Sequence, residues 1–206
     1  GTSAFAILAN GQNLGWELPE AQPGEKISSV AIIRTVTNIV TRFQRLENRP
    51  PHRILMLRDG IVQWEEFDDI VADLLKSQIA VDLLGVRKSG AGRMAIVPYQ
   101  SESLIDASPG TAILSADDKT FRIVTSKATA GGSARPLKVV RDFGDAPLEI
   151  LAKQIDRLSM LDPASAYAYS RLPYVIHFAD KMAKTVQSIG ELGVLHGVDR
   201  QKIFFA

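Results

Sequence analysis

The sequence predicts a mixed α/β sheet flanked by helices on both faces. Apolar runs of strand length alternate with amphipathic stretches of helix length, and pairs of strands separated by turn residues occur among them. The chain contains neither an internal repeat nor a low-complexity segment. With 206 residues and 46% hydrophobic content it can bury one substantial core, so its length suits one domain or a large fragment of one.

Hairpins and amphipathic helices alternate in the N-terminal half of the predicted fold. Pro19 to Gly24 forms a loop before the first helix, and Asn48-Arg49-Pro50-Pro51 ends that helix, because proline does not continue a helix. In order, the first predicted elements are a strand from Ser3 to Ala9, a turn at Asn10-Gly11, a strand from Asn13 to Leu18, a helix from Glu25 to Leu46, a strand from Arg53 to Leu57 and a helix from Gln63 to Lys76. A second hairpin is predicted to follow, with strands from Ile79 to Val86 and from Arg93 to Val97 on either side of a turn at Ser89 to Gly92.

The C-terminal half contains three further strands, followed mainly by helix. A polar loop through Pro109 precedes these strands, and Ala130-Gly131-Gly132-Ser133 separates the last two. The predicted elements are strands from Thr111 to Ser115, Phe121 to Ser126 and Leu137 to Arg141, a helix from Pro147 to Leu161, an extended piece from Leu172 to Ile176 and a final helix from about His177 to Gly190. This order of elements describes a ribonuclease H-like layout.

Composition excludes several classes of protein. The absence of cysteine rules out disulfides and thiolate metal sites, which is compatible with a cytoplasmic protein. No charged and then apolar leader opens the chain, and the longest apolar runs are far too short to span a membrane. The net charge is +1, so only local clusters of basic residues can indicate nucleic-acid binding.

The tetrapeptide Leu57-Arg58-Asp59-Gly60 lies between a predicted strand and a predicted helix. A carboxylate is thereby placed at the carboxyl end of a strand, where open α/β sheets bind ligands. Glycine at position 60 permits backbone angles that a tight turn requires. The apolar spacing from Trp64 to Leu75 predicts a helix that packs back on the sheet. An ordinary Asp-Gly is more often a turn-former or a helix cap, so both interpretations of Asp59 stand at this point.

Several separated motifs resemble the PIWI domain of Argonaute proteins and occur in the order of that family. The segment from His52 to Gly60, with Phe67 downstream, resembles the family's arginine-aspartate-glycine strand. The short loops favour a prokaryotic member of the family. The other matching segments are Gly110-Thr111, Phe121 to Ser126 followed by Gly132-Ser133-Ala134-Arg135-Pro136, Leu172 to Lys181, and the terminal Phe204-Phe205-Ala206.

The resemblance implies a ribonuclease H-like fold with a catalytic tetrad, Asp-Glu-Asp completed by Asp or His. In the family this tetrad holds two Mg²⁺ or Mn²⁺ ions and cuts a phosphodiester bond. Two hard cations need oxygen ligands that converge from several elements. Asp59 and Asp180 match two members of the tetrad and are the expected metal ligands, with Asp180 in the first turn of a helix. His177 is the alternative to Asp180 as the last metal ligand of the tetrad. The other interpretation of His177 is a partly buried ring with a structural role.

The glutamate and the first aspartate of the tetrad are matched less directly. Glu25 precedes a long helix as the family's glutamate does, but an ordinary first-turn glutamate explains it equally well, and Glu20 and Glu17 are fallbacks. No acidic residue precedes Glu17, so either the chain starts inside the domain or the protein binds without cutting. We expect residues 1–206 to form a PIWI domain that lacks its first strand, with the MID, PAZ and N-terminal domains absent from this chain.

The resemblance also implies a guide nucleic acid, RNA or DNA, and a complementary target as partners, together with the remainder of the Argonaute chain. Phosphate contacts are expected from four basic residues, Lys88, Arg93, Lys127 and Arg135. The expected function is guide-directed binding with metal-dependent endonucleolytic cleavage of the paired target strand, in guide-dependent silencing and prokaryotic defence. The alternatives are a guide-binding Argonaute without cleavage activity and another ribonuclease H-like nuclease, such as an endonuclease V relative.

Overall fold

The computed structural model describes residues 3–19, 27–99, 103–127, 133–161 and 171–189. Internal contacts divide the chain into two compact units. The first unit comprises Gly1–Leu55, Gln63–Val81 and Val175–Ala206, and the second comprises Met56–Val62 and Asp82–Tyr174. Each unit has its own buried apolar residues.

Nine strands and four helices occur within these described ranges. They are β1 (Ala4–Ile7), β2 (Asn13–Glu17), α1 (Ser29–Glu47), β3 (Arg53–Asp59), α2 (Trp64–Lys76), β4 (Ala80–Arg87), β5 (Ala95–Ile96), β6 (Ile105–Asp106), β7 (Ala112–Leu114), β8 (Thr120–Ile123), β9 (Leu137–Phe143), α3 (Leu148–Ser159) and α4 (Tyr174–Ile189). None of these four helices combines the length and the apolar character that crossing a membrane requires.

The first unit packs a hairpin and helices around aromatic side chains. β1 and β2 pair antiparallel with Phe5 opposite Trp16, which confirms the predicted opening hairpin. Trp16 is 1% exposed, and the centroid of the Phe5 ring lies 5.5 Å from that of Phe178 on α4. α1 and α2 pack against each other through apolar faces, and the core of this unit lies between these elements.

α1 begins at Ser29 rather than at the predicted Glu25. Ser28 has an extended backbone, and its Oγ accepts a hydrogen bond from the Ala31 N–H at 3.2 Å, which satisfies a donor that the helix itself leaves free. The helix ends before Asn48, whose φ of 53° is left-handed, and prolines follow as the sequence predicted. Glu25 itself lies outside the described residues.

A five-stranded mixed sheet, most of whose residues belong to the second unit, has the order β3-β4-β9-β8-β7. β4, β9, β8 and β7 pair antiparallel in succession. β3 runs parallel to β4, because the Ala80 N–H donates to the His52 carbonyl at one end and the Gly60 N–H donates to the Val86 carbonyl at the other. α3 packs on β7 and β8 through a buried apolar face. A mixed α/β fold was therefore predicted correctly.

The second predicted hairpin is wrong. β4 does not pair with the strand that follows its turn but with β9, where Gly85 lies opposite Val140. β5 pairs instead with β6. β5 lies inside the predicted return strand from Arg93 to Val97, and β6 lies in a stretch that was predicted to be a loop. The Ser89 to Gly92 turn sequence indicates a change of direction but does not specify a partner. β4 is buried along most of its length, so its partner is set by the core rather than by the nearest turn.

α4 begins at Tyr174, where the sequence predicted an extended piece from Leu172 to Ile176. Pro173 immediately precedes the helix, and the fixed φ of proline suits a helix start. Tyr174 and Phe178 lie one turn apart and are both buried, so burial of one helical face outweighs the strand preference of the β-branched residues between them. Asp180 consequently lies in the second turn of the helix and not in the first.

Asp156 on α3 carries a carboxyl group whose pKa is raised by burial. Its Oδ1 is buried and has no hydrogen-bond partner among the residues that the structure describes. The folded state binds the carboxyl proton of Asp156 more tightly than the unfolded chain does. Ionisation of Asp156 therefore lowers the free energy of unfolding, and this free energy is lost as the pH rises through the folded-state pKa. Asp156→Asn is therefore expected to raise the melting temperature by roughly 2 °C at pH 7 and to change it little near pH 3.

Thermal denaturation at the two pH values checks this prediction. Asp69→Asn removes an exposed carboxylate from α2 and serves as the control, with little change expected at either pH. An equal gain for Asp156→Asn at both pH values would contradict a role for the charge.

Candidate nucleic-acid interface and carboxylate site

Asp59 is the last residue of β3, as the sequence predicted. The turn after it depends on Gly60, whose φ of 97° is left-handed and strained for other residues. The Gly60 N–H donates to the Val86 carbonyl at 2.8 Å, which fixes this end of β3 against β4. The Asp59 side chain is 39% exposed, so its carboxylate oxygens are open to a ligand from solvent.

Lys88, just beyond β4, neutralises Asp59. Its Nζ donates to Asp59 Oδ2 at 2.9 Å, and 42% of the lysine side chain is exposed. An exposed ion pair of this kind contributes about 0–1 kcal/mol, so it holds neither partner firmly. A divalent cation at Asp59 or a phosphate at Lys88 would readily separate the pair.

Asp180 lies on α4 in the first unit, whereas Asp59 belongs to the second. Asp180 Oδ2 accepts a hydrogen bond from Lys184 Nζ, one helical turn later, at 2.8 Å, and its side chain is 38% exposed. His177, its rival, is half-buried on the same helix, with its ring 5.9 Å from that of Phe178 in an edge-on contact. Each predicted aspartate ligand is thus partly exposed and paired with a lysine.

The predicted glutamates have different outcomes. Glu25, the first choice, and Glu20 both lie outside the described residues. Glu17 is 5% exposed, its Oε2 accepts a hydrogen bond from Asn38 Nδ2 at 3.4 Å, and its Oε1 pairs with Arg42. This buried group joins β2 to α1, so Glu17 stabilises the packing of the first unit and is not a suitable fallback for a metal ligand.

The donors at Asp59 and Asp180 fit the cations that the sequence implies. Carboxylate oxygens are the hard ligands that Mg²⁺ and Mn²⁺ prefer, and both side chains are accessible. Within the described ranges no three His, Asp or Glu side chains form a group that could hold a metal ion. Glu25 lies outside the described residues and stays a predicted third ligand, and the two aspartates match the cations by donor chemistry alone.

Three of the four predicted phosphate-binding residues surround one cavity in the second unit. The cavity has a volume of about 210 Å³ and lies beside the turn that follows β4. Of the nine described residues that line it, four are cationic and none is acidic. The cations are Lys88, Arg93, Arg135 and Arg171, whereas Lys127 is exposed and is not part of the lining.

A glycine-rich turn and a small apolar cluster shape this cavity. Gly90 and Gly92 have left-handed φ values of 77° and 70°, which an L-residue adopts only with strain. Arg93 leaves the turn and its guanidinium donates to Ser133 Oγ. The Ala134 N–H donates to Asp106 Oδ1 at 3.2 Å, which fixes the segment that carries Arg135. The buried cluster that supports both segments consists of Met94, Ala107, Val124 and Ala134.

Arg171 is the basic residue that sequence analysis missed. The buried Thr125 donates from its Oγ1 to the Arg171 carbonyl at 2.6 Å, and the Arg171 guanidinium donates to the Lys88 carbonyl. These two contacts hold Arg171 against the cavity from both its backbone and its side chain. Arg171 stands alone in the sequence, so a search for basic clusters does not find it. Its only signal was its place directly before the motif from Leu172 to Lys181.

The cavity presents the charges that suit a phosphate group. Guanidinium groups offer paired N–H donors that match two oxygens of one phosphate, and an ammonium adds a point charge. Because none of the described residues of the lining is acidic, an incoming anion is attracted by every charged group among them. The arrangement therefore favours an anionic ligand with several oxygens, such as a nucleic-acid backbone.

Comparison with known proteins identifies the family. No protein-family model matches the chain. The protein argonaute of Synechococcus elongatus is 44% identical over 207 residues, which cover 98% of this chain. The protein argonaute of Thermus thermophilus is 42% identical over 207 residues, which cover 100% of this chain. The chain belongs to the Argonaute family.

This Argonaute chain spans 28% and 29% of the lengths of these two relatives, a little over a quarter of each. Family membership decides against the alternative of an endonuclease V relative. It also agrees with the order of the motifs on which the resemblance was based.

Solved Argonaute structures share the fold of this chain. The Clostridium butyricum Argonaute, bound to a guide DNA and a 19-mer target DNA, matches with a TM-score of 0.78 and 25% identity, covering 93% of this chain and 24% of that one. The Marinitoga piezophila Argonaute, in complex with a 5′ OH guide RNA and target DNA, matches with a TM-score of 0.67 and 17% identity, covering 87% of this chain and 26% of that one. These matches confirm the predicted fold class, a ribonuclease H-like mixed sheet of the PIWI type.

Proposed function

We propose that this Argonaute chain binds a guide nucleic acid paired with its target. The observation that carries the proposal is the cavity at which Lys88, Arg93, Arg135 and Arg171 present four positive charges. Contacts from such groups to phosphates position a strand without reading its bases, so sequence specificity would come from pairing between guide and target. The Clostridium butyricum Argonaute, which was bound to guide and target DNA, supports the same class of partner here.

The second half of the proposal is cleavage of the paired target strand. Asp59 and Asp180 would hold divalent cations through their carboxylate oxygens, and Glu25 would complete the ligand set. When bound, two such cations orient the attacking water and neutralise the leaving oxygen of the phosphodiester. Lys88 would leave Asp59 and turn to a backbone phosphate, so strand binding and cation binding favour each other at this pair.

The domain organisation is part of the proposal. Residues 1–206 would be the PIWI domain of an Argonaute that also has MID, PAZ and N-terminal domains. The alternative is a guide-binding Argonaute that does not cut. Both alternatives keep the cavity lined by Lys88, Arg93, Arg135 and Arg171, which we call the phosphate cavity, and differ only in catalysis.

An assay with the intact protein separates binding from cleavage. The protein would be loaded with a guide, DNA or RNA, and given a complementary or a mismatched target in Mn²⁺, Mg²⁺ or EDTA. We expect guide-dependent binding of the complementary target in every condition, and a single cut in that target only when a divalent cation is present. Tight binding without a cut in either cation would establish the non-cleaving alternative. Failure to bind any guide at low salt would refute the proposal as a whole.

A further inference from the structure

Gly85 lies near the C-terminal end of β4, beside the turn that follows Asp59. A β-carbon at Gly85 would lie 2.9 Å from the Gly60 carbonyl oxygen, 3.1 Å from Asp142 Oδ2 and 3.5 Å from the Val62 side chain. The first of these distances is shorter than β-carbons show in real structures, so one of the two groups would have to move. The side chain of any residue other than glycine at position 85 would therefore clash with the Gly60 carbonyl oxygen unless one of the two groups moved.

The backbone at Gly85 does not itself require glycine. Its φ is not in the left-handed region, unlike those of Gly60, Gly90 and Gly92, and it pairs regularly with Val140 in the sheet. An alanine would suit the strand conformation of β4 at this position. The requirement for glycine is therefore a requirement for space.

The neighbours of Gly85 differ in their ability to make room. Asp142 contacts this space with the far end of a side chain, which can rotate away at the cost of the hydrogen bond that it accepts from the Gly85 N–H. Gly60 contacts it with backbone, and the Gly60 N–H is hydrogen-bonded to the Val86 carbonyl on the same strand as Gly85. The Gly60 turn is thus the group that an added methyl would displace, and Asp59 is the residue next to it.

We propose that Gly85 is a positioning residue for Asp59. The absence of a side chain at Gly85 lets the Gly60 carbonyl approach β4, and this approach sets where the Asp59 carboxylate stands at the end of β3. The inference rests on the proposed function, in which Asp59 is a ligand of the divalent cations. A shift of even a fraction of an ångström would weaken cation binding and slow cleavage, because metal ligands tolerate little displacement.

The test uses Gly85→Ala in the intact protein and measures three quantities. Titration with Mn²⁺ alone should show an affinity about tenfold weaker than wild type, and kcat for target cleavage should fall about tenfold. The KM for target and the salt dependence of guide binding should stay within about twofold, because the phosphate cavity is untouched. Adding Asp142→Ala to Gly85→Ala should not restore Mn²⁺ affinity, since the Gly60 backbone and not the Asp142 side chain is the obstacle.

Two controls distinguish positioning from lost stability. Val139→Ala removes buried volume from β9, next to β4, and should lower the melting temperature while leaving kcat and Mn²⁺ affinity of the folded protein unchanged. Gly60→Ala strains the same turn through its φ of 97° without a steric contact within 4 Å, and should also weaken Mn²⁺ binding. If Gly85→Ala does not fold, unchanged Mn²⁺ affinity in Gly60→Ala overturns the inference.

Asp59→Asn separates failure of the inference from failure of the proposed function. If Asp59→Asn loses Mn²⁺ binding and cleavage while Gly85→Ala retains both at wild-type level, Gly85 does not position Asp59 and the proposed function stands. If Asp59→Asn itself retains both, the proposed metal site is wrong, and the role assigned to Gly85 is wrong with it.

Discussion

Asp59→Asn is expected to reduce target cleavage by roughly 10³-fold or more while guide binding stays near the wild-type level. The amide keeps the size of the side chain but removes the negative charge that would hold a divalent cation. Guide binding should change little, because Asp59 does not line the phosphate cavity and its exposed ion pair with Lys88 contributes only about 0–1 kcal/mol. Single-turnover cleavage in Mn²⁺, measured alongside guide affinity by filter binding, checks both halves of this result.

Asp73→Asn is the matched control for this prediction. Asp73 pairs with Lys76 at 3.4 Å on the exposed surface of α2, much as Asp59 pairs with Lys88, but it has no proposed ligand role. Its replacement should leave cleavage within about twofold of wild type. Asp180→Asn should behave like Asp59→Asn, since both carboxylates are proposed to hold cations. A protein that cuts at the wild-type rate with Asn at position 59 would show that the metal ligands lie elsewhere.

The parts of the fold that sequence analysis predicted well depend on local patterns. The opening hairpin follows from apolar runs on both sides of Asn10-Gly11, and α2 follows from apolar residues at helical spacing. The place of Asp59 also follows locally, because strand, carboxylate and glycine are consecutive. Such features need no knowledge of distant partners, so one sequence is enough to predict them.

The parts that were missed depend on contacts between distant segments. The pairing of β4 with β9 is decided by a shared core, and the turn after β4 contains no information about it. Arg171 joins the phosphate cavity only because Thr125 and Lys88 hold it there. α4 starts earlier than predicted because burial of Tyr174 and Phe178 outweighs local strand preference. In each case tertiary packing, which periodicity does not report, decided the outcome.

Replacing Arg93, Arg135 and Arg171 together by alanine is expected to weaken guide binding by roughly 10²–10³-fold near physiological salt. Each arginine would lose a charge-assisted contact to phosphate, and fewer counterions would be released on binding. The slope of log affinity against log salt should therefore become shallower by about 2 to 3 units in total. The loss should be similar for guides of unrelated sequence, because these contacts do not read bases. Lys88 is left in place so that Asp59 keeps its partner.

Filter binding over a salt series, with several guide sequences, measures this effect. A control triple variant, Arg45→Ala with Lys76→Ala and Lys153→Ala, removes the same number of positive charges from exposed sites outside the cavity. If net charge alone drove binding, both triple variants would lose affinity equally. We expect the control to change the salt slope by less than about one unit, because contact with phosphate and not total charge releases counterions. An unchanged slope in the cavity variant would mean that the guide phosphates bind a different surface, and the proposed interface at Arg93, Arg135 and Arg171 would then be abandoned.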